Sequence, residues 1–414
     1  MAEKKAHKPK ARANGEGTLF QRKSDDLWIG RLPVGYKSDG SVKYLKFSGK
    51  KQSDVLEKMG KAKTEVRTNT YVEPNKITLG EWLDTWLTVT MKTSIRETTY
   101  LSYEAMIKKH IKPALGGYKL LQLQTSHIQK FYNEKIEGGR ADGKEGGLSP
   151  RTVRYIHQVI TGALKQAVAE KVVQVNVADH VKLPKNPKKE MKYLDVSAVG
   201  KFLEVAKNSQ YYKHYYAAYV MELYTGLRRG ELLGLRWKDI DLKNGAITVS
   251  QQLVKVGNKH IIRELKTESS QNRNISIPGE VVTAMKEHKR QQEEHLKDLG
   301  YNDIAIAEHF KSGLTFINEV GTGFIQPRNF TRNFKGVLRT AKLDDVRFHD
   351  MRHTFALISL QAGTDIKTLQ SDLGHESIET TLDRYGHVNP EMKKEAANKR
   401  SGLLKAVVNN EKSN

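Results

Sequence analysis

Apolar residues recur at helical spacing over most of this chain, and this periodicity limits the folds open to it. Between residues 75 and 173 the period is close to that of an α-helix, which predicts four helices packed as one bundle. Thr78 can cap the first helix, Thr93 and Ser94 are expected to start the second, and Ser149 with Pro150 begins the last. The apolar side of the first helix is formed by Leu79, Trp82, Leu83 and Trp86.

The segment before this bundle has a different pattern, with short runs of β-type residues. Strands are predicted at residues 18–20, 27–32 and 42–47, followed by a helix over residues 53–68 that covers one face of the sheet. The other face would carry Arg22, Lys23, Arg31, Lys43 and Lys46. A small basic sheet can lie in a DNA major groove, although a capping subdomain with a solvated charged face is an alternative.

The segment after the bundle begins with a stiff basic linker and then becomes mostly helical. Strands are predicted at residues 246–254, 260–265 and 273–277, with a hairpin turn at Gly257 and Asn258. Helices are predicted at residues 196–207, 211–224, 281–298, 304–310, 328–341, 348–361, 366–373 and 378–385. The predicted fold is therefore multidomain: an N-terminal three-stranded β-sheet plus helix, an α-helical bundle, and a mostly α domain with a small antiparallel sheet.

The net charge of the chain indicates which class of molecule it binds. The chain has 70 Lys+Arg against 47 Asp+Glu, a formal net charge of +23, which favours nucleic acid first and an anionic membrane surface second. No apolar run approaches the length of a bilayer-spanning helix, and no signal peptide is evident, so a soluble cytoplasmic protein is expected. The absence of Cys excludes disulfides, thiolate metal sites and a cysteine nucleophile.

Residues 348–387 carry the polar side chains that most suggest chemistry. His349 and Arg352 are three residues apart, so they share one face of a predicted helix, beside an apolar stripe that includes Met351 and Phe355. An arginine at the edge of an apolar stripe is costly to desolvate unless an anion meets it, and phosphate suits its planar fork. Arg352 is therefore a candidate phosphate ligand.

The order of the candidate residues closely resembles that of the tyrosine recombinase family, the phage-type integrases. The matching segments are Thr225-Gly226-Leu227-Arg228-Arg229-Gly230-Glu231-Leu232, Leu265-Lys266-Thr267, His349-Asp350-Met351-Arg352-His353-Thr354-Phe355-Ala356, Leu373-Gly374-His375 and Tyr385-Gly386-His387. Five blocks in this order are highly specific, whereas any one of them alone would be weak.

These residue types suit transesterification of a phosphodiester. Tyr385 can act as the nucleophile, and Arg228 and Arg352 can hold the scissile phosphate and stabilise the charge of the transition state. The resemblance implies that Lys266 is the general acid for the leaving 5′-oxygen, that His349 assists proton removal from Tyr385, and that His375 hydrogen-bonds the phosphate. Asp350 and Glu231 are predicted to orient neighbouring cations. Neither a metal nor another cofactor is expected.

The resemblance also suggests a division of the chain. We expect a basic tail at residues 1–13, an arm-type DNA-binding domain at 14–72, a core-binding domain at 75–183, a linker at 184–192, a catalytic domain at 193–390 and a C-terminal tail at 391–414. The tail can dock on a neighbouring subunit or pack on its own domain, and both possibilities stay open.

The resulting hypothesis is a site-specific integrase that cuts and rejoins double-stranded DNA at core and arm-type attachment sites, to integrate and excise a mobile element in a bacterial host cell. The resemblance implies a homo-tetramer on DNA, with a directionality factor and a host DNA-bending protein as further partners. A type IB topoisomerase is the closest enzymatic alternative, and a DNA-binding repressor without catalysis is an alternative of another class. A metal-dependent nuclease is disfavoured because no paired carboxylates lie near His349 and Arg352 at a metal-ligand spacing.

Overall fold

The structure is a computed structural model, and it divides the chain into two compact units, Met1–Pro187 and Lys188–Asn414. It describes residues 16–36, 39–68, 71–72, 75–140, 143–187, 191–211, 213–265, 272–321, 323–379, 381, 397–398 and 401. In these ranges, no helix combines the length and the apolar character that crossing a bilayer requires.

The first unit opens with an antiparallel three-stranded sheet covered by one helix. The strands are β1 (Thr18–Gln21), β2 (Trp28–Tyr36) and β3 (Val42–Gly49), and the helix is α1 (Gln52–Arg67). The buried residues between sheet and helix are Leu32, Leu45, Val55, Met59 and Ala62. The predicted three-stranded sheet plus helix is confirmed.

The rest of this unit is a helical bundle. Its helices are α2 (Leu79–Thr85), α3 (Glu97–Met106), α4 (Lys112–Leu115), α5 (Thr125–Glu137) and α6 (Pro150–Ala169). The hydroxyl of Thr78 caps α2 and that of Ser149 caps α6, as local side-chain chemistry predicts. The indole of Trp82 donates a buried hydrogen bond to the carbonyl of Ala163, which ties the first helix to the last.

The expected start of the second bundle helix at Thr93 and Ser94 is wrong. The first helix continues as a π-helical segment, Trp86–Met91, and α3 begins only at Glu97. The hydroxyl of Ser94 donates to the carbonyl of Thr90, so this side chain ends the preceding helix instead of capping the next one. Ser and Thr can serve either end of a helix, which is why the sequence did not distinguish the two.

The second unit is mainly helical around a small sheet. Its helices are α7 (Val196–Asn208), α8 (Tyr216–Thr225), α9 (Arg229–Gly234), α10 (Gly279–Asp298), α11 (Asp303–Ser312), α12 (Pro327–Thr340), α13 (Phe348–Gln361) and α14 (Ile366–Leu373). Phe202, Tyr219, Phe330 and Phe334 form an aromatic centre of its core. Helix α8 begins at Tyr216, not at Tyr211, because residues 213–215 form a 3₁₀ turn.

The strand predicted at residues 246–254 is two strands. Strand β5 (Ala246–Val249) lies between β4 (Ile240–Asp241) and β8 (Arg273–Ser276), whereas β6 (Gln251–Val256) pairs with β7 (Lys259–Glu264) in a separate hairpin. The break falls at Ser250, whose hydroxyl accepts a hydrogen bond from Arg236. Both strands are of β-type composition, so no change of pattern in the sequence marks the break.

Candidate active site

Two helices of the second unit end in left-handed glycines that pack near α13. Helix α8 ends at Gly226, with φ +58°, and α14 ends at Gly374, with φ +59°. A Cβ atom on Gly226 would lie 2.4 Å from the Cδ1 atom of Phe355 on α13, so this close approach requires glycine. The carbonyl groups at the two helix ends carry the negative end of each helix dipole.

Arg352 connects the two helix ends. Its side chain extends from α13 and donates from Nη1 to the carbonyl of Gly226 at 2.6 Å and from Nη2 to the carbonyl of Leu373. Arg352 is 1% exposed, so it is buried and does not lie at the edge of an apolar stripe as the sequence suggested. Backbone carbonyls at two helix C-termini satisfy this buried guanidinium and fix its orientation.

Arg228 also binds the end of α14, at the turn formed by residues 372–375. It precedes α9, and its backbone N–H donates to Glu231 Oε2 at 2.9 Å while its Nη1 donates to Glu231 Oε1 at 2.8 Å. Its Nη2 donates to the carbonyl of Gly374 at 3.2 Å. Arg228 and Arg352 therefore bind the carbonyls of consecutive residues, although they are far apart in the chain. The side chain of Arg228 is 37% exposed, so this guanidinium reaches solvent.

A third arginine, Arg273, was not singled out from the sequence. It begins β8, its side chain is 4% exposed, and its Nη2 donates to Glu231 Oε2 at 2.6 Å. Its Nε donates to the carbonyl of Asp372 at 3.0 Å. Carbonyls 372, 373 and 374 thus each accept from a different arginine. No local pattern reveals this role, because a charged residue that starts a strand usually faces solvent.

Two buried carboxyl groups lie among these arginines, and their pKa values are shifted in opposite directions. Burial would raise the pKa of Glu231, but Arg273 and Arg228 outweigh it and lower the pKa to about 2. Burial raises the pKa of Glu222 on α8 well above its usual value, against the opposing effect of Arg352. Among the described residues, neither carboxyl oxygen of Glu222 has a hydrogen-bond partner. Glu231 is therefore ionised between Arg273 and Arg228, whereas burial disfavours the charge of Glu222 beside Arg352. The three guanidinium groups thus face a single firmly ionised carboxyl group, which leaves an excess of positive charge.

His375 follows directly on the turn that the arginines hold. It is buried, and its Nδ1 atom lies 2.8 Å from the Oγ1 atom of the buried Thr381. Its carbonyl accepts a hydrogen bond from Gln370 at 3.1 Å. These contacts hold the imidazole beside the carbonyl groups to which Arg228 and Arg352 donate.

His349 lies on the exposed side of the first turn of α13. Its ring centroid is 5.3 Å from that of His353. The neighbouring Asp350 is buried and accepts from Arg347 at 2.7 Å. Burial would raise the pKa of Asp350, but the hydrogen bonds from Arg347 lower it below its usual value.

The structure therefore brings together Arg228, Arg352 and His375 of the six predicted site residues. Lys266 and Tyr385 lie outside the described residues. The roles assigned to all six remain predictions at this point. Within the described ranges, no group of three or more His, Asp or Glu side chains is arranged to hold a metal ion.

Two regions of the chain match models of known protein families. The model of the "Phage integrase family" matches residues 192–392, and that of the "Phage integrase, N-terminal SAM-like domain" matches residues 78–136. The ICEBs1 integrase of Bacillus subtilis (strain 168) is 30% identical over 305 residues, which are 74% of this chain and 78% of that protein.

Two further similarities extend over more of the chain. A "Tyrosine recombinase XerC-like" protein of Caldanaerobacter subterraneus subsp. tengcongensis is 26% identical over 397 residues, which are 92% of this chain and 97% of that protein. The structure of the Tn1549 transposon integrase in complex with a circular intermediate DNA matches with a TM-score of 0.65 at 22% identity, covering 78% of this chain and 99% of that one. This structure shows the same fold. The chain belongs to the phage integrase family of tyrosine recombinases, which includes the integrases of phages and conjugative transposons.

Proposed function

We propose that this chain cuts and rejoins double-stranded DNA at specific sites through a covalent bond between Tyr385 and a 3′-phosphate, and that it thereby integrates and excises a mobile element. The element would be a temperate phage genome or a conjugative transposon in the cytoplasm of a bacterial cell. One observation carries this proposal. Arg228, just before α9, and Arg352, on α13, donate to the carbonyls of Gly374 and Leu373, so their guanidinium groups converge on one turn.

The reaction needs an oxygen nucleophile, positive groups on the non-bridging oxygens and an acid for the leaving group. The phenolic oxygen of Tyr385 attacks phosphorus, the bond to the 5′-oxygen breaks, and Lys266 gives that oxygen a proton. His349 assists removal of the phenolic proton, whose pKa is about 10 in a free tyrosine. Arg228, Arg352 and His375 bind the phosphate oxygens and stabilise the charge that develops on them. The phosphotyrosyl ester keeps the energy of the broken phosphodiester bond for rejoining, so the reaction requires neither ATP nor a metal ion.

We propose that the N-terminal domain, residues 14–72, binds arm-type sites. Arg31 on β2 and Lys46 on β3 are directly opposite each other and both exposed. Like charges at directly opposite positions destabilise a sheet, so this arrangement favours a polyanion as partner. Arg31 also lies over the ring of Phe20, 5.4 Å from its centroid, which positions it on the sheet surface.

We propose a role for each of the next three segments of the chain. Residues 75–183 bind the core site, residues 184–192 are a linker, and residues 193–390 are catalytic. Exchange between two duplexes breaks four strands and needs four nucleophiles, so the active assembly is a homo-tetramer on DNA. A directionality factor and a host DNA-bending protein complete the set of proposed partners.

The test uses a suicide substrate, a nicked duplex whose cleaved end diffuses away, made from the ends of the element that encodes this protein. Wild-type protein is expected to form a covalent adduct in the presence of EDTA, and Tyr385→Phe none. Loss of the adduct in EDTA would contradict the metal-free mechanism. Relaxation of a supercoiled plasmid that lacks the attachment site would instead indicate a type IB topoisomerase.

A further inference from the structure

Arg273 forms a buried ion pair with Glu231 on α9. Its Nη2 lies 2.6 Å from Glu231 Oε2 and its Nη1 lies 3.4 Å from Glu231 Oε1, so the guanidinium faces both carboxylate oxygens. The side chains are 4% and 1% exposed. Removing two charges from water costs free energy that their attraction often fails to return, so such a pair is weak evidence for stability. A contribution to stability therefore does not by itself account for the buried Arg273–Glu231 pair.

The carboxylate of Glu231 is shared between Arg273 and Arg228. Glu231 Oε1 accepts from Nη1 of Arg228 at 2.8 Å, and Oε2 accepts from the backbone N–H of Arg228 at 2.9 Å. Arg273 is thus on the buried side of Glu231 and Arg228 on its exposed side. Fixing the carboxylate from the buried side fixes the guanidinium on the other.

Arg273 also holds the turn that the other arginines bind. Its Nε donates to the carbonyl of Asp372, the residue before Leu373 and Gly374. A Cβ atom on Gly374 would lie 3.1 to 3.3 Å from the Cδ, Nε and Cζ atoms of Arg273, so the turn packs directly on this side chain. His375 follows next in the chain. One buried side chain thereby fixes the carboxylate beside Arg228 and the carbonyls that accept from Arg228 and Arg352.

We infer that Arg273 is a positioning residue for the strand-cleavage reaction, which sets the guanidinium of Arg228 and the Asp372–His375 turn in the geometry that grips the scissile phosphate. This inference rests on the proposed function. Arg273 acts through Arg228, because it is too buried to contact DNA itself. Lysine cannot replace it, since an ammonium group lacks the planar fork that faces two carboxylate oxygens and one carbonyl at once.

The experiment compares Arg273→Lys with a matched control, Arg236→Lys. Arg236 also makes a forked pair, with Asp239 at 2.7 and 3.0 Å, in the same unit, but its hydrogen bonds go to Asp239 and Ser250 and leave Glu231 to Arg228 and Arg273. Under single-turnover conditions on the suicide substrate, Arg273→Lys is expected to form adduct about 10-fold to 100-fold more slowly than wild type. Its Kd for the attachment site is expected to stay within about twofold of the wild-type value, whereas Arg236→Lys should match wild type in both.

A double-mutant cycle separates positioning from general damage to the fold. In an Arg228→Ala background, adding Arg273→Lys should slow adduct formation by much less than in the wild-type background, because the group that Arg273 positions is already gone. Equal losses in both backgrounds would contradict the inference. If Arg273→Lys is unfolded at the assay temperature, Arg273→Gln, which keeps two N–H donors, is compared in the same way at a lower temperature.

The outcomes also distinguish this inference from the proposed function. If wild type forms adduct and Arg273→Lys forms it equally fast, the inference alone is wrong. If wild type forms no adduct on its own attachment site, the proposed function is wrong, and the inference is wrong with it.

Discussion

The Nδ1 atom of His375 and the Oγ1 atom of Thr381 lie 2.8 Å apart, in a hydrogen bond between two buried side chains. The bond joins the turn after α14 to the segment that leads, four residues later, to Tyr385. A hydrogen bond at one ring nitrogen of a histidine fixes which tautomer and orientation the ring adopts. Thr381 therefore fixes the imidazole of His375, the group that we propose hydrogen-bonds the phosphate.

Thr381→Val is expected to lower the rate of adduct formation about 10-fold, because it removes the hydroxyl while keeping the shape of the side chain. Thr381→Ser retains the hydroxyl and should stay near the wild-type rate. The measurement is the single-turnover rate on a suicide substrate at saturating protein. Equal rates for the valine and serine variants would show that the hydrogen bond has no part in positioning His375.

Gly226→Ala is expected to destabilise the protein strongly. Its φ of +58° costs a residue with a Cβ about 1–2 kcal/mol, and a Cβ placed 2.4 Å from Phe355 adds an overpacking cost of about 1–3 kcal/mol. The matched control is Gly363→Ala, where φ is +88° but no atom lies within 4 Å of the new Cβ. Urea unfolding should show a larger loss for Gly226→Ala, and equal losses would contradict the close approach of α8 and α13.

Glu222→Gln is expected to stabilise the protein increasingly as the pH rises. Because burial raises the pKa of Glu222, the folded chain keeps its proton above the pKa of about 4.3 at which the unfolded chain loses it. Wild type therefore loses stability as the pH rises through this window, and the loss is complete above the pKa of the folded state. Glutamine does not titrate and lacks this loss.

The measurement is the free energy of unfolding of both proteins at pH 5 and pH 8. The variant should gain relative to wild type between the two values. A gain in the opposite direction would mean that Glu222 is ionised in the folded protein and that Arg352 and Arg273 outweigh its burial.

Much of the fold could be predicted because its signals are local. The caps at Thr78 and Ser149 depend on residues within one turn, and the predicted bounds of α13 and α14 agree with the structure. For α14 both ends are set locally, by Asp365 at its start and Gly374 at its end. The resemblance to the tyrosine recombinases is confirmed by the family comparisons. Such signals can be read without knowledge of contacts between distant parts of the chain.

The features that were missed depend on contacts between distant parts of the chain. Arg273 and Glu222 look like ordinary surface charges in the sequence, yet both are buried among residues from other helices. The break at Ser250 is invisible because the composition of the sequence stays β-type on both sides of it. Arg352 was expected at the edge of an apolar stripe, but the carbonyls that bury it come from the ends of α8 and α14.

The central claim is that Arg228 and Arg352 hold one phosphorus centre for attack by Tyr385. The most direct measurement is mass spectrometry of the protein–DNA adduct after digestion by nuclease and protease. We predict a single modified residue, Tyr385, esterified to a 3′-phosphate, with adduct yields reduced about 100-fold or more in Arg228→Ala and Arg352→Ala. An adduct on any other residue, or one that forms at the wild-type rate without either arginine, would contradict the account.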